Sequence, residues 1–137
     1  MLTREADYAV RIVLLLAAPD NPEGCTAEDI RKELKLPFAF LRNLLRRLAD
    51  AGIAENKRGR AGGVTLAKKP AKLTVLDVVS AVAPGRARAG GQWKANLPAC
   101  DKNSPAFPLF AEAAAKMDEV LATTTLADLL SKTPGNN

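Results

Sequence analysis

The sequence predicts a mainly α-helical chain with a small β-hairpin wing, that is, a winged helix-turn-helix followed by a long C-terminal helix. Three patterns carry this expectation. Two helical segments, Thr26 to about Leu34 and Pro37 to about Ala51, are joined by a tight link. A glycine-rich tip, Arg58-Gly-Arg-Ala-Gly-Gly63, separates two short strand-like runs. In the last third, Phe107, Phe110, Ala114, Met117 and Leu121 recur at spacings of 3 and 4, the repeat of an apolar helical seam.

Taken in order, Thr3 to Ala18 reads as a helix that is apolar around most of its circumference beyond Tyr8. Protein should therefore cover both its sides, and a partner subunit is one candidate for the second. After the turn cluster Pro19 to Gly24, Thr26 with Asp29 three residues on forms a capping pattern. The same Thr-x-x-Asp spacing returns at Thr74/Asp77 and Thr125/Asp128, which marks three helix starts. Pro37 suits a first helical position and Gly52 a helix end. Strands from Ile53 to Lys57 and from Val64 to Ala67 flank the wing tip, and a helix follows from Thr74 to about Ala83. Residues 84–105, rich in Pro, Gly, Ala and charge, are expected to be a long irregular loop, and loops of that length in a compact domain are usually functional or disordered. The expected division is a DNA-binding winged helix over 1–83, an effector or sensor loop over 84–105, a dimerisation helix with a short final helix over 106–131, and a disordered tail over 132–137.

A chain of 137 residues that is 47% hydrophobic supports one core with an added element rather than two domains. Its net charge of +5 is unevenly placed: Pro37 to Lys72 holds nine basic and two acidic residues, which leaves the remainder slightly acidic. Such a block favours an anionic partner, since each phosphate neutralised by Lys or Arg releases condensed counterions. Histidine is absent, which removes the commonest general base and the usual zinc ligand. No acid/base pair, nucleophile–base pair or metal-ligand spacing is present, so no enzyme is expected. The longest apolar run, Val10 to Ala18, is broken by Arg11 and falls well short of the roughly 20 residues that cross a bilayer. Two cysteines 75 positions apart suggest no disulfide framework, and with no export segment in view a cytoplasmic location is expected.

Helical geometry sorts the second helix into two faces. At about 100° per residue, Leu41, Leu44, Leu45 and Leu48 share one side, and Ala39, Arg42, Asn43 and Arg46 lie almost opposite. A recognition helix sets such side chains against base edges in the major groove. Arg42 and Asn43 are the base-reading candidates, because Arg pairs bidentately with guanine and Asn with adenine. Phe38 or Ala39 would touch a thymine methyl or simply pack. Arg46 belongs to the same stripe, and Arg47, at its edge, is expected on phosphate, where it would position without reading sequence. In the wing, Lys57 is a phosphate candidate, Gly59 permits the tight tip, and Arg58 and Arg60 suit a narrow minor groove. The tip lacks the GxxxxGK[ST] pattern of a phosphate loop, so nucleotide binding carries little weight.

Three segments together, LTREADYAVRIVLLLA, LPFAFLRNLLRRLADAGIAENKRGRAGGVTLAK and TLADLL, resemble the Rrf2 family of bacterial transcription regulators. The Tyr8-Ala9 pair, the leucine-rich helix and the Arg-Gly-x-x-Gly-Gly wing carry the likeness most closely. The resemblance implies a homodimeric winged-helix DNA binder whose long C-terminal helices cross at the interface, with Phe107, Phe110, Ala114, Met117 and Leu121 as seam residues. It also implies, for many members, an iron–sulfur cluster held by three cysteines in the region corresponding to 91–107. This chain departs there: the last of those positions falls on Ser104, a histidine of some members falls on Phe107, and only Cys100 remains in the loop. Such clusters normally take four protein ligands, mostly thiolates, so no cofactor is expected even if Asp7 or a partner's carboxylate were added.

Cys100 has three readings: an inert residue, a redox-sensitive thiol, or part of an effector pocket beside Trp93. Lys94 and Lys102 lie close to it in sequence and would favour the thiolate. Trp93 itself fits a core anchor or a ligand platform. The expected function is a homodimer that binds double-stranded DNA at a palindromic operator, with a small-molecule or protein effector acting through the loop. The rival is a winged-helix module that binds a partner enzyme through its loop, with DNA binding weak or lost. The basic stripe on the second helix argues against that rival.

Overall fold

The computed structural model describes residues 2–19, 23–57, 63–90 and 92–132. The chain runs α1 (Arg4–Ala17), α2 (Ala27–Leu34), α3 (Phe38–Asp50), β1 (Ala54–Lys57), β2 (Gly63–Leu66), a 3₁₀ turn (Pro70–Lys72), α4 (Val75–Val82), β3 (Arg88–Ala89), β4 (Gln92–Trp93), α5 (Phe107–Ala122) and α6 (Leu126–Ser131). Among these elements no helix is long and apolar enough to cross a membrane.

Local chemistry explains most helix starts. In α2, α4 and α6 the expected Thr-x-x-Asp boxes are closed in both directions, with each Thr hydroxyl accepting the Asp amide and each Asp carboxylate accepting the Thr amide. At α6 the backbone N–H and hydroxyl of Thr125 hold the Asp128 carboxyl below its ordinary value. That cap is therefore intact at neutral pH and weakens only as acidification passes through the lowered value. The starts of α4 and α6 also pair with each other: Val75 donates to the Thr124 carbonyl and Leu126 to the Leu73 carbonyl, both at 2.9 Å. Leu73 and Leu126 are fully buried at this junction.

Helix α1 occupies the centre. Ala6, Ala9, Ile12, Val13 and Leu16 are buried, and Val10, Leu14 and Leu15 are half-buried beside them. Elements α2, α3, β2, α4 and α6 all pack on this helix, which accounts for its broad apolar circumference. The leucine face of α3 completes the core with Ile30, Ile53, Val64, Val78 and Val82. One buried polar group sits in this packing. Among the described residues, the Ser80 hydroxyl is the buried side-chain polar atom that lacks a hydrogen-bond partner. A desolvated donor without a partner is destabilising, so Ser80→Ala is expected to raise stability by up to about 1 kcal/mol in thermal unfolding. A loss of stability would show that the hydroxyl has a structural role.

The wing pairs β1 and β2 antiparallel, with Ala54 opposite Leu66 and Lys57 opposite Gly63. A third segment joins it, since Cys25 donates to the Val64 carbonyl at 3.0 Å and Val64 donates back at 2.7 Å. The wing is thus tied to the residues that lead into α2.

Two expectations change. Pro37 lies one position earlier than predicted, at the N-cap of α3, where it supplies no side-chain acceptor. The segment 84–105 is not irregular throughout, because β3 and β4 form a minimal hairpin with Arg88 opposite Trp93. The expected disordered tail lies outside the described residues apart from Lys132, which ends α6.

Candidate nucleic-acid interface

The two faces of α3 separate as the periodicity requires. Leu41, Leu44 and Leu48 are fully buried and Leu45 nearly so, whereas Phe38, Ala39, Arg42, Asn43 and Arg46 are exposed. Burial of four leucines fixes the rotation of the helix, and that rotation aims the opposite stripe outward. An edge-to-face contact between Tyr8 of α1 and Phe40 of α3, with centroids 5.8 Å apart, braces the same helix from a second side.

Within the stripe, the Arg42 guanidinium lies 5.6 Å from the centre of the Phe38 ring. A neutral aromatic can hold a guanidinium in this way while leaving its N–H donors available. Phe38 is 43% exposed and is thus placed to orient Arg42 as well as to pack. Asn43 and Arg46 make no hydrogen bond or ion pair among the described residues. By contrast, Arg31 on α2 is paired with Glu28, and that pair lowers the pKa of Glu28 and raises that of Arg31.

The N-terminus of α3 differs from those of its neighbours. It has no side-chain cap and no acidic residue in its first turn. Its leading amides and the positive end of its dipole are therefore available to a phosphate beside the exposed stripe. Lys35, exposed in the turn between α2 and α3, was not identified from sequence and lies next to this end. Its backbone is left-handed, φ 55°, a conformation set by the helix-turn-helix link.

Arg47 makes a contact within the fold that its place at the edge of the stripe does not announce. Its Nη1 donates to the Val82 carbonyl at 2.7 Å, and the side chain is half-buried between α3 and the end of α4. A cation beside the C-terminal carbonyls of α4 also complements the negative end of that helix dipole. Arg47 thus ties α3 to the end of α4. Lys57 is exposed on β1 as expected, and Arg58, Gly59 and Arg60 lie outside the described residues.

The loop is anchored by contacts distant in sequence. Arg86 forms a bidentate pair with Asp118 of α5, at 3.2 and 2.6 Å, and donates to the Lys94 carbonyl at 3.0 Å. Trp93 is half-buried rather than a core residue, and its Nε1 donates to Asp77 at 3.1 Å. Cys100 is half-buried in the same segment, and Cys25 belongs to the wing bridge.

On α5, Phe107, Ala114, Met117 and Leu121 are half-buried and Phe110 is 48% exposed. The helix packs against α4, so the predicted stripe is partly occupied within its own chain. Leu109 and Val120, 64% and 65% exposed, were missed because they stand outside the 3,4 repeat. With Phe110 and Met117 they form an apolar band about a quarter-turn round the helix from the covered face.

The family model for Rrf2, described as "Iron-dependent Transcriptional regulator", matches residues 2–132. The chain belongs to the Rrf2 family. The regulator NsrR of Geobacillus kaustophilus is 36% identical over 78 residues, which cover 57% of this chain and 53% of that protein. The chain thus spans about half the length of that relative. Protein rrf2 of Nitratidesulfovibrio vulgaris is 30% identical over 94% of this chain and 86% of its own length. Among solved structures, CymR, the global cysteine regulator of B. subtilis, superposes with a TM-score of 0.73 at 26% identity, covering 97% of this chain and 98% of that one. The IscR structure from T. potens gives 0.75 at 23% identity over 100% and 90%, a likeness of fold. These matches fix the winged-helix architecture and place the chain in the Rrf2 family, whose model is described as a transcriptional regulator.

The iron dependence in the family description meets an unsuitable donor set here. Among the described residues no three His, Cys, Asp or Glu side chains are grouped so as to hold a metal. The loop offers the single thiol of Cys100, and Cys25 lies before α2, where its backbone bridges to the wing. These residues do not fit a cluster of the usual ligand number.

Proposed function

We propose that this chain is a homodimeric, sequence-specific regulator that binds a two-fold symmetric operator and works without an iron–sulfur cluster. The observation that carries the reading is the exposed Arg42, Asn43 and Arg46 stripe, set over a buried leucine face beside an uncapped helix end. Arg42 and Asn43 read bases. The α3 amides, Lys35 and Lys57 meet phosphate and fix the register. A protein-interaction module would not require guanidinium and amide groups left uncommitted on that face. Selection from a random duplex pool, followed by anisotropy titrations, tests the reading. Enrichment of a symmetric site is the expected result, and equal affinity for every sequence would refute it.

The seam of the dimer is the band formed by Leu109, Phe110, Met117 and Val120, displaced from the stripe that the 3,4 spacing suggested. An exposed apolar band on a helix that has no fully buried residue favours a second copy of the chain. Val120→Asp is expected to shift the protein toward monomer in sedimentation velocity while far-UV circular dichroism stays unchanged. An undisturbed dimer would exclude this band. For the cofactor, protein purified without oxygen should show no charge-transfer absorption in the visible.

A further inference from the structure

Phe38 is the first residue of α3 and remains 43% exposed. Of the large hydrophobic side chains left exposed among the described residues, it alone lies in the helix-turn-helix or the wing. Phe40, two positions on, is half-buried against the core and meets Tyr8, so packing accounts for that ring and not for Phe38. Helical spacing puts Phe38 one turn before Arg42, whose guanidinium lies 5.6 Å from the ring centre. Two further guanidinium groups lie over rings among the described residues, and each has a second anchor. Arg11 over Tyr8 pairs with Asp7, and Arg88 over Trp93 donates to the Ala51 carbonyl. Arg42 makes no hydrogen bond or ion pair among the described residues, and the first turn of α3 holds no carboxylate to compete for it. The Phe38 ring is what sets the direction of its donors.

We infer that Phe38 and Arg42 read one dinucleotide step together, a thymine beside the guanine that Arg42 takes, and that Phe38 is the residue that demands the thymine. The inference rests on the operator-binding reading above and deepens it by naming part of the sequence read. Base pairs present donors and acceptors to the major groove, and the thymine 5-methyl group is the one apolar feature among them. Side chains at the N-terminal end of a recognition helix meet base edges. A phenyl ring offers those edges no donor and no acceptor, so its match in the groove is the methyl group. The spacing agrees. Base pairs rise by about 3.4 Å, and the 5.6 Å between ring centre and guanidinium is more than one rise and less than two. With the guanidinium over its guanine, the ring stands over a neighbouring pair. The guanidinium covers part of the ring, and the exposed remainder is open to the methyl group. One side chain thus aims the Arg42 fork at guanine O6 and N7 and removes a methyl group from water beside them.

Deoxyuridine tests this with the protein unaltered, because it differs from thymidine only by the missing methyl group. In the duplex obtained by selection, each thymine of a half-site is replaced in turn, and affinity for the full chain is measured by anisotropy. The sensitive thymine is expected to adjoin the guanine whose preference is lost in Arg42→Ala, and deoxyuridine there should weaken binding about threefold to fourfold. In Phe38→Ala the same replacement is expected to have no effect, while preference for that guanine falls about threefold. Circular dichroism and the salt slope of that variant should match the parent, because the ring is exposed and contacts no phosphate. A selected site with no thymine beside that guanine, or indifference to deoxyuridine, would overturn the inference. So would a methyl dependence that survives in Phe38→Ala, or an undiminished guanine preference in that variant. Each of these outcomes is read on a duplex the protein has selected, so operator binding would stand. A chain that selects no sequence would defeat the operator reading, and this inference with it.

Discussion

Gly24→Ala is expected to lower unfolding stability by about 3 kcal/mol, through strain and a backbone clash together. Gly24 has φ +85°, and an added Cβ would fall inside contact distance of the Val64 carbonyl oxygen and 2.7 Å from the Thr65 methyl. The nearer obstacle, the Val64 carbonyl oxygen, is backbone, and the Thr65 methyl belongs to a β-branched side chain that is stiff about χ1. Val64 is 4% exposed and exchanges two hydrogen bonds with Cys25, so the wing cannot move aside without losing that bridge. Gly52→Ala is the matched control: its φ is also positive, +75°, but a Cβ there meets nothing within 4 Å. That control should lose only about 1–2 kcal/mol of conformational strain. Urea unfolding checks both, with a lower midpoint and unchanged slope expected for each and the larger shift for Gly24. Equal losses would show that the Gly24 contact with the wing has no energetic weight. The functional consequence lies in the wing, whose Lys57 is positioned through the same hairpin.

The helix-turn-helix and the helix starts were legible in the sequence because their signals are local and periodic. Three capping boxes each join a Thr to an Asp three positions on, and the leucine face of α3 repeats at helical spacing, so each could be identified without knowing what it packs against. The loop was opaque for the opposite reason. Two-residue strands carry no periodicity, and the contacts that order them join residues far apart in sequence: Arg86 with Asp118, Trp93 with Asp77, and Arg88 with the Ala51 carbonyl. The tether made by Arg47 was hidden for a related cause. Its angular position was right, but its partner is a carbonyl 35 residues away, and a long side chain at the edge of a stripe can turn to either side. On α5 the spacing of 3 and 4 correctly marked an apolar helix. A spacing cannot say which neighbour covers it, and α4 claims part of the stripe.

Arg42→Ala should therefore behave unlike Arg47→Ala. Arg42 is exposed, oriented by Phe38 and bonded to no acceptor among the described residues, so a guanine can take both arms of its guanidinium. A bidentate pair of that kind discriminates by about 1–3 kcal/mol, so Arg42→Ala is expected to weaken the selected site roughly tenfold or more and to relax preference at one position in each half-site. Its unfolding stability should stay within about 0.5 kcal/mol of the parent, as for most surface substitutions. Arg47→Ala removes a charge-assisted bond that joins α3 to the end of α4. It should lower stability by about 1–2 kcal/mol and leave the dependence of affinity on salt unaltered, because no phosphate contact is lost. Anisotropy titrations at several salt concentrations, run beside urea unfolding, separate the two. Uniform weakening of every duplex by Arg42→Ala would remove it from base reading. A salt slope reduced by about one in Arg47→Ala, at unchanged stability, would return that residue to the phosphate backbone. The contrast rests on one physical difference: the Arg47 guanidinium is drawn onto a backbone carbonyl of a neighbouring helix and ties the two together, whereas the Arg42 guanidinium is held only by an aromatic ring and keeps its N–H donors for the groove.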